Sequence, residues 1–151
     1  MPHPRHGRPP QVLVAALAEL ARRDLTVERA SKVVRSAPLG PSRRTYANAA
    51  AIIATPLLPP DLLKLFKQVE RAFGRRRGGR RWGSRVLDLD ITLWSGGAWA
   101  APGIVVPHPS FRMRSFVLGP ARGIVPTWRD PITGCTIRQF HARLTRANPL
   151  P

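Results

Sequence analysis

Residues 74–94 read GRRRGGRRWGSRVLDLDITLW. The second half alternates without a break: Leu87, Leu89, Ile91 and Leu93 are apolar, while Asp88, Asp90 and Thr92 between them are polar. Successive side chains of a strand point to opposite faces, so the spacing predicts a strand over 87–94. One face is apolar and the other carries two neighbouring carboxylates. Carboxylates aimed at one place repel each other unless a cation lies between them. The first half supplies Arg75, Arg76, Arg77, Arg80, Arg81 and Arg85 among Gly74, Gly78, Gly79 and Gly83, with Trp82 in the middle. Guanidinium groups take phosphate oxygens two at a time, and glycines let such a loop close. The stretch therefore reads as a site for Mg²⁺ and a nucleotide polyphosphate. The plainer readings are a solvated edge strand and a solvated or RNA-binding arginine tract.

Outward from this stretch, the chain shows helical and strand periods in turn. Val12, Leu13, Ala16, Leu17 and Leu20 recur at helical spacing, with Pro10 suited to a first turn. Leu25–Arg35 and Tyr46–Ala54 read as strands, separated by a loop that Pro38, Gly40 and Pro41 enforce. Pro59-Pro60-Asp61 opens a second helix that buries Leu62, Leu63, Leu65, Phe66, Val69 and Phe73. After the 87–94 strand, Gly96-Gly97 predicts a hairpin turn with Ile104–Val106 returning along it. A short helix is expected over Phe111–Leu118, ending before Gly119-Pro120. Asp130-Pro131-Ile132-Thr133-Gly134 is a turn signal, and Ile137–Leu144 a terminal helix. Helices and strands without a regular βαβ rhythm indicate an α+β sandwich with an antiparallel sheet. The expected organisation is a disordered basic, Pro-rich stretch over 1–10, one domain over 11–146, and a tail over 147–151.

The chain has 151 residues, enough for one domain with a core. Its 25 Lys and Arg against 8 Asp and Glu leave a formal charge of +17. That excess suits a polyanionic partner. Only three of the 25 are lysines, however, as the composition bias of a GC-rich genome would also produce. The lone Cys135 excludes an intrachain disulfide framework and a cysteine metal cluster, and a reducing cytoplasm fits it. No run approaches the length of a membrane span, and no secretory signal opens the chain. A Walker-type phosphate loop and a Ser/His/Asp or Cys/His set are also absent from the sequence.

The motifs occur in the order of a known family. Arg35-Ser36-Ala37-Pro38-Leu39-Gly40-Pro41, Tyr46-x-Asn48, Gly74-Arg75-x-Arg77, Arg81-Trp82-Gly83-x-Arg85, Leu87-Asp88-Leu89-Asp90, His108-Pro109, Arg114-x-Phe116-Val117-Leu118 and Pro120 together resemble 6-hydroxymethyl-7,8-dihydropterin pyrophosphokinase. That resemblance implies a ferredoxin-like α/β sandwich, with helices packed on a mostly antiparallel sheet. It implies transfer of pyrophosphate from ATP to the pterin hydroxymethyl group, with release of AMP, in folate biosynthesis. Asp88 and Asp90 would hold two Mg²⁺ ions. Arg75 and Arg77 would belong to a mobile catalytic loop, and Arg85, His108 and Arg114 would contact phosphates. Glu70, Arg81, Trp82 and Ile91 would complete the ATP site. The pterin would lie near Ser36, Ala37, Pro38 and Leu39, bonded through Asn48 and stacked between Tyr46 and Phe116. The partners implied are these two small molecules, with no membrane and no nucleic acid, and a monomeric cytoplasmic enzyme.

The family's opening strand, which ends in Gly-Ser-Asn or Gly-Ala-Asn, has Met1–Pro10 in its place here. A start assigned too far downstream, an inactive truncated paralogue, or completion by another chain would each account for this. The intact downstream motifs favour the first. Ser36 and Ser84 also replace the usual Thr and Pro. The competing class is a noncatalytic basic nucleic-acid-binding protein on the same scaffold.

Overall fold

The computed structural model describes residues 9–36, 46–74 and 87–146. Helix α1 spans Pro9–Arg22. Both of its prolines lie in the first turn, where a missing N–H breaks no intrahelical bond. Val12, Ala16 and Leu20 form its buried stripe. Helix α2, Pro59–Gly74, buries Leu62, Phe66, Val69 and Phe73. Leu63 and Leu65, expected on the same face, are only half-buried at its edges.

The predicted strand over 25–35 divides into β1, Thr26–Ala30, and β2, Val34–Ser36. The strand over 46–54 likewise becomes β3, Tyr46–Asn48, and β4, Ala51–Ala54. β1 pairs antiparallel with β4, and β2 antiparallel with β3. The four are segments of one bent hairpin. Thr26 faces Ala54, the register slips between Val27 and Arg29, and Ser36 finally faces Tyr46. The break at Ser31 has a local cause. Its N–H donates to the Ala50 carbonyl at 2.8 Å, while its Oγ accepts from the Ala50 N–H at 2.9 Å. A serine hydroxyl there competes with the regular ladder.

Helices cover both faces of this hairpin. Leu25, α1, α2 and Leu87 enclose one apolar cluster, against which Ile53 packs. Phe111, Leu118, Ala121, Ile124, Val125, Ile137 and Phe140 form the second, against which Ile52 packs. Adjacent residues of β4 therefore serve opposite cores, as the twofold period of a strand requires. The α+β class and antiparallel pairing are as the sequence indicates, and α-helices lie against the strands.

The 87–94 segment departs from expectation. Its described residues form no strand ladder, only a bridge between Trp94 and Gly97. Ile104–Val106 does return as β6, but its partner is β5, Trp99–Ala101. Pro102 and Gly103 close that hairpin, with Gly103 at φ 83°. Proline presets the turn's first central residue, and glycine takes the positive φ of the second. Gly96-Gly97 does lie at a turn, closed by the Gly97 N–H to the Trp94 carbonyl at 3.0 Å, but the turn at 102–103 is the one that brings Ile104–Val106 back.

The predicted 111–118 helix is also redrawn. Phe111–Met113 is a short 3₁₀ turn, and α3 runs over Ser115–Ile124 with Pro120 inside it. Proline in a helix removes one hydrogen bond. Here the apolar stripe of Leu118, Ala121 and Ile124 carries the helix through, and Pro120 is itself buried. Helix α4, Ile137–Thr145, starts where Thr136 and Gln139 form a reciprocal capping box.

Candidate functional site

Leu87 is buried, and Leu89 and Ile91 pack against the same apolar cluster. Asp88 and Asp90 between them are exposed. The alternation read from the sequence therefore operates without a strand ladder. Burial of the leucines turns both carboxylates outward. A side chain helps to hold this segment: Glu70 Oε1 on α2 accepts from the Leu89 N–H at 2.8 Å. Glu70 Oε2 pairs with Lys67 Nζ at 3.1 Å, one helical turn back. Glu70 thus bonds the peptide between the two aspartates. The family resemblance implies a place for Glu70 near the nucleoside; its bond to the Leu89 N–H leaves no periodic signal and needed the tertiary structure.

A second group of residues comes together along 106–116. The His108 N–H donates to the Thr92 carbonyl at 3.1 Å, which ties this block to the aspartate segment. His108 Nδ1 accepts from the Ser110 N–H at 3.2 Å. An acceptor at Nδ1 places the ring proton of the neutral imidazole on Nε2, leaving an N–H donor on its free side. Arg114, half-buried at the head of α3, lies with its guanidinium carbon 5.6 Å from the centroid of Phe116. A phosphate-binding type of side chain and an aromatic platform are thus in contact.

The β2–β3 end of the hairpin provides the third group. Ser36 faces Tyr46 and Val34 faces Asn48 across the ladder. Tyr46 is exposed and Asn48 half-buried. α3, which carries Phe116, is in contact with both β2 and β3. Two aromatic side chains on touching elements suit a flat heterocycle. The Ser36 side chain and Ala37, Pro38 and Leu39 lie outside the described residues. So do Arg75, Arg77, Arg81, Trp82 and Arg85 of the cationic stretch between α2 and Leu87.

Among the described residues, no three His, Cys, Asp or Glu side chains come together as a metal-holding group. Two exposed carboxylates spaced i, i+2 still fit one kind of ion. Mg²⁺ commonly takes one or two carboxylates and fills its other positions with water and substrate phosphates. The donor set suits a cation shared with a bound polyphosphate rather than a closed structural site.

The feature that sequence reasoning did not single out is the pair Arg112–Asp130. Arg112 Nε and Nη2 donate to Asp130 Oδ2 and Oδ1 at 2.7 and 2.9 Å. Asp130 is 1% exposed and is the only buried charged residue among those described. Burial pushes its carboxyl pKa up, but hydrogen bonds from Arg112, Thr133 and Ile132, with the Arg112 charge, outweigh this and lower it to about 2. The same hydrogen bond, against the opposing effect of burial, raises the Arg112 pKa. The only sequence signal was the Asp-Pro-x-Thr-Gly turn.

Comparison with known proteins gives a family match over residues 5–126, to 7,8-dihydro-6-hydroxymethylpterin-pyrophosphokinase. The chain is 39% identical over 129 residues to the 2-amino-4-hydroxy-6-hydroxymethyldihydropteridine pyrophosphokinase of Synechocystis sp., covering 85% of this chain and 66% of that protein. It is 40% identical over 99 residues to the enzyme of that name from Methylorubrum extorquens, covering 66% and 61%. The Bacillus subtilis counterpart is 38% identical over 97 residues, covering 64% and 58%. The chain thus spans less than two thirds of the length of each of these relatives.

Proposed function

The chain belongs to the 7,8-dihydro-6-hydroxymethylpterin-pyrophosphokinase family, and on that premise we propose that it transfers pyrophosphate from ATP to the hydroxymethyl group of 6-hydroxymethyl-7,8-dihydropterin. The observation that carries the reading is the 87–91 segment, with Leu87 buried, Leu89 and Ile91 packed against the core, and both aspartates exposed. In the proposed reaction the hydroxymethyl oxygen bonds to the β-phosphorus of ATP. The bond from that phosphorus to the oxygen bridging the α-phosphorus breaks, AMP leaves, and the hydroxyl proton is lost. Such transfers depend on positioning and charge neutralisation far more than on covalent chemistry by the protein.

The residues divide this work by chemistry. Asp88 and Asp90 would hold Mg²⁺, two ions in the full site, which when bound neutralises phosphate charge and orients the reacting oxygens. His108, with its Nε2–H outward, donates to a phosphate oxygen. Arg114 adds a guanidinium beside the aromatic platform, and Arg75, Arg77, Arg81 and Arg85 clamp the triphosphate, with Trp82 over the bound ring. Glu70 and Ile91 lie at the nucleoside. The pterin stacks between Tyr46 and Phe116 and bonds Asn48, with Ser36, Ala37, Pro38 and Leu39 at its edge. The touching of α3 with β2 and β3 supports this slot.

The reaction is tested by incubating the protein with ATP, Mg²⁺ and the dihydropterin. AMP should form only when the pterin is present, in equal amount with the pyrophosphorylated pterin. ADP as the product, or ATP turnover indifferent to the pterin, would overturn the assignment. Stacking of a heterocycle on an aromatic ring contributes about 1–3 kcal/mol. Phe116→Ala should therefore raise the pterin KM on the order of tenfold while moving the ATP KM little, a split that steady-state kinetics reads directly.

A further inference from the structure

Arg112 and Asp130 stand eighteen residues apart and have no part in the family motifs above, Asp130 entering only as a turn signal. They meet where the His108–Arg114 turn passes the turn that leads into α4. The first of these turns is held by few and long bonds of its own. Phe111 N–H to His108 O and Met113 N–H to Ser110 O are each 3.2 Å, and Arg114 N–H to Phe111 O is 3.4 Å. A 3₁₀ run of three residues has poor hydrogen-bond geometry and does not set its own orientation firmly. External anchors must do so.

The His108 N–H bond to the Thr92 carbonyl supplies one at the start of the turn, and two successive side chains supply the others. Phe111, 1% exposed, points into the core and meets Phe140 edge-on at 5.6 Å. Arg112 reaches Asp130 through two bonds that fix the guanidinium plane, with its carbon 4.8 Å from the Phe111 ring centroid. The receiving carboxylate is rigid in its turn. It also accepts from the Ile132 N–H at 3.1 Å and from Thr133 Oγ1 at 2.8 Å. Its turn is closed by Asp130 N–H to Cys135 O and Gly134 N–H to Asp130 O, both 2.8 Å. Four donors around one carboxylate leave it no alternative orientation.

Stability alone gives no reason for an ion pair here. A buried pair is often no better than apolar residues of equal volume, because desolvation offsets the attraction. What the pair adds over an apolar contact is direction. We propose that Arg112 and Asp130 are positioning residues: their two-point bond sets the rotation of the His108–Arg114 turn and thereby aims the His108 ring and the Arg114 guanidinium. The catalytic consequence rests on the reading proposed above. The structural consequence does not.

The test compares wild type with Arg112→Met/Asp130→Leu, which removes both charges together so that none stays buried unpaired and leaves the exposed Ile132 N–H and Thr133 hydroxyl to water, and with Arg112→Lys, which keeps charge but lacks the fork. Three quantities are read: the urea midpoint, kcat and KM for AMP formation, and the side-chain nitrogen shifts of His108 by NMR. The expected result is a double variant with a midpoint near wild type and a kcat lowered on the order of ten- to a hundredfold. Its His108 should lose the single Nε2–H form and show both tautomers. Arg112→Lys should fold and show the same changes to a smaller degree, and it decides the matter alone if the double variant does not fold. Unchanged kcat and an unchanged His108 signal in a folded variant would overturn the proposal and leave the pair a packing element. If wild type forms no AMP, the proposed reaction fails, and the His108 signal by itself accepts or rejects the positioning role.

Discussion

On the proposed reaction, Asp88→Ala is expected to lower AMP formation on the order of a thousandfold, with little change in the urea midpoint. The first half follows from charge. A polyphosphate beside two carboxylates is tolerable only with a cation between them, and a catalytic metal ion is worth several kcal/mol in the transition state, each 1.36 kcal/mol being tenfold in rate. The second half follows from where the side chain lies. Asp88 is exposed, while the neighbours Leu87 and Leu89 make the contacts with the core. Removing the carboxylate leaves those contacts and the Glu70 bond to the Leu89 N–H in place. Asp90→Ala should behave in the same way, and the double variant should lose little more than either single one, since the two act as a unit. Full AMP production by Asp88→Ala, measured at saturating Mg²⁺, would sink the metal assignment. A parallel fall in the urea midpoint would show instead that the aspartate supports the fold.

Arg112→Ala is expected to destabilise the protein by about 3 kcal/mol at neutral pH, the usual result of leaving one half of a buried pair behind. Asp130 would then keep only the Ile132 N–H and Thr133 Oγ1 as partners among those described. The pH dependence separates this cause from simple loss of packing. In the wild type the carboxyl is lowered to about 2 against an ordinary 3.8. A depressed carboxyl contributes stability that is complete above the unfolded pKa and is lost as pH falls through the folded one. The difference corresponds to about 2 kcal/mol, present above roughly pH 4 and gone near pH 2. Without Arg112, burial is no longer outweighed by the guanidinium and the carboxyl pKa rises. The variant then protonates Asp130 at little cost on acidification. Its urea midpoint should therefore converge on that of wild type between pH 5 and pH 2.5. Curves that fall in parallel over that range would refute the assignment of the stability to this charge.

Much of the fold, and the placement of the two candidate metal-holding aspartates, is legible in local periods. The stripe Val12, Ala16, Leu20 and the stripe Leu62, Phe66, Val69, Phe73 are the buried faces of α1 and α2. A helical period depends only on which residues recur every three to four positions, so it survives any tertiary arrangement. The outward placement of Asp88 and Asp90 is of the same kind. It follows from the burial of Leu87 and Leu89, whether or not a ladder forms around them. Partners are less legible. Nothing in the apolar–polar alternation says that Ile104–Val106 pairs with Trp99–Ala101 and leaves 87–93 without a ladder among the described residues. Alternation specifies a face, whereas pairing is chosen by whichever turn closes best, here Pro102-Gly103.

The sequence by itself determined the α+β class, both long helices, the terminal helix after Thr136, and the two carboxylates that face away from the core. Each is settled within one element by residue spacing. Only the tertiary structure decided that Glu70 bonds the peptide between those carboxylates, that His108 is tied to Thr92, and that Arg112 clasps Asp130. These contacts join residues sixteen or more positions apart through single hydrogen bonds or one buried fork. Such bonds form only after burial has brought the elements together, and they leave no period behind to be read.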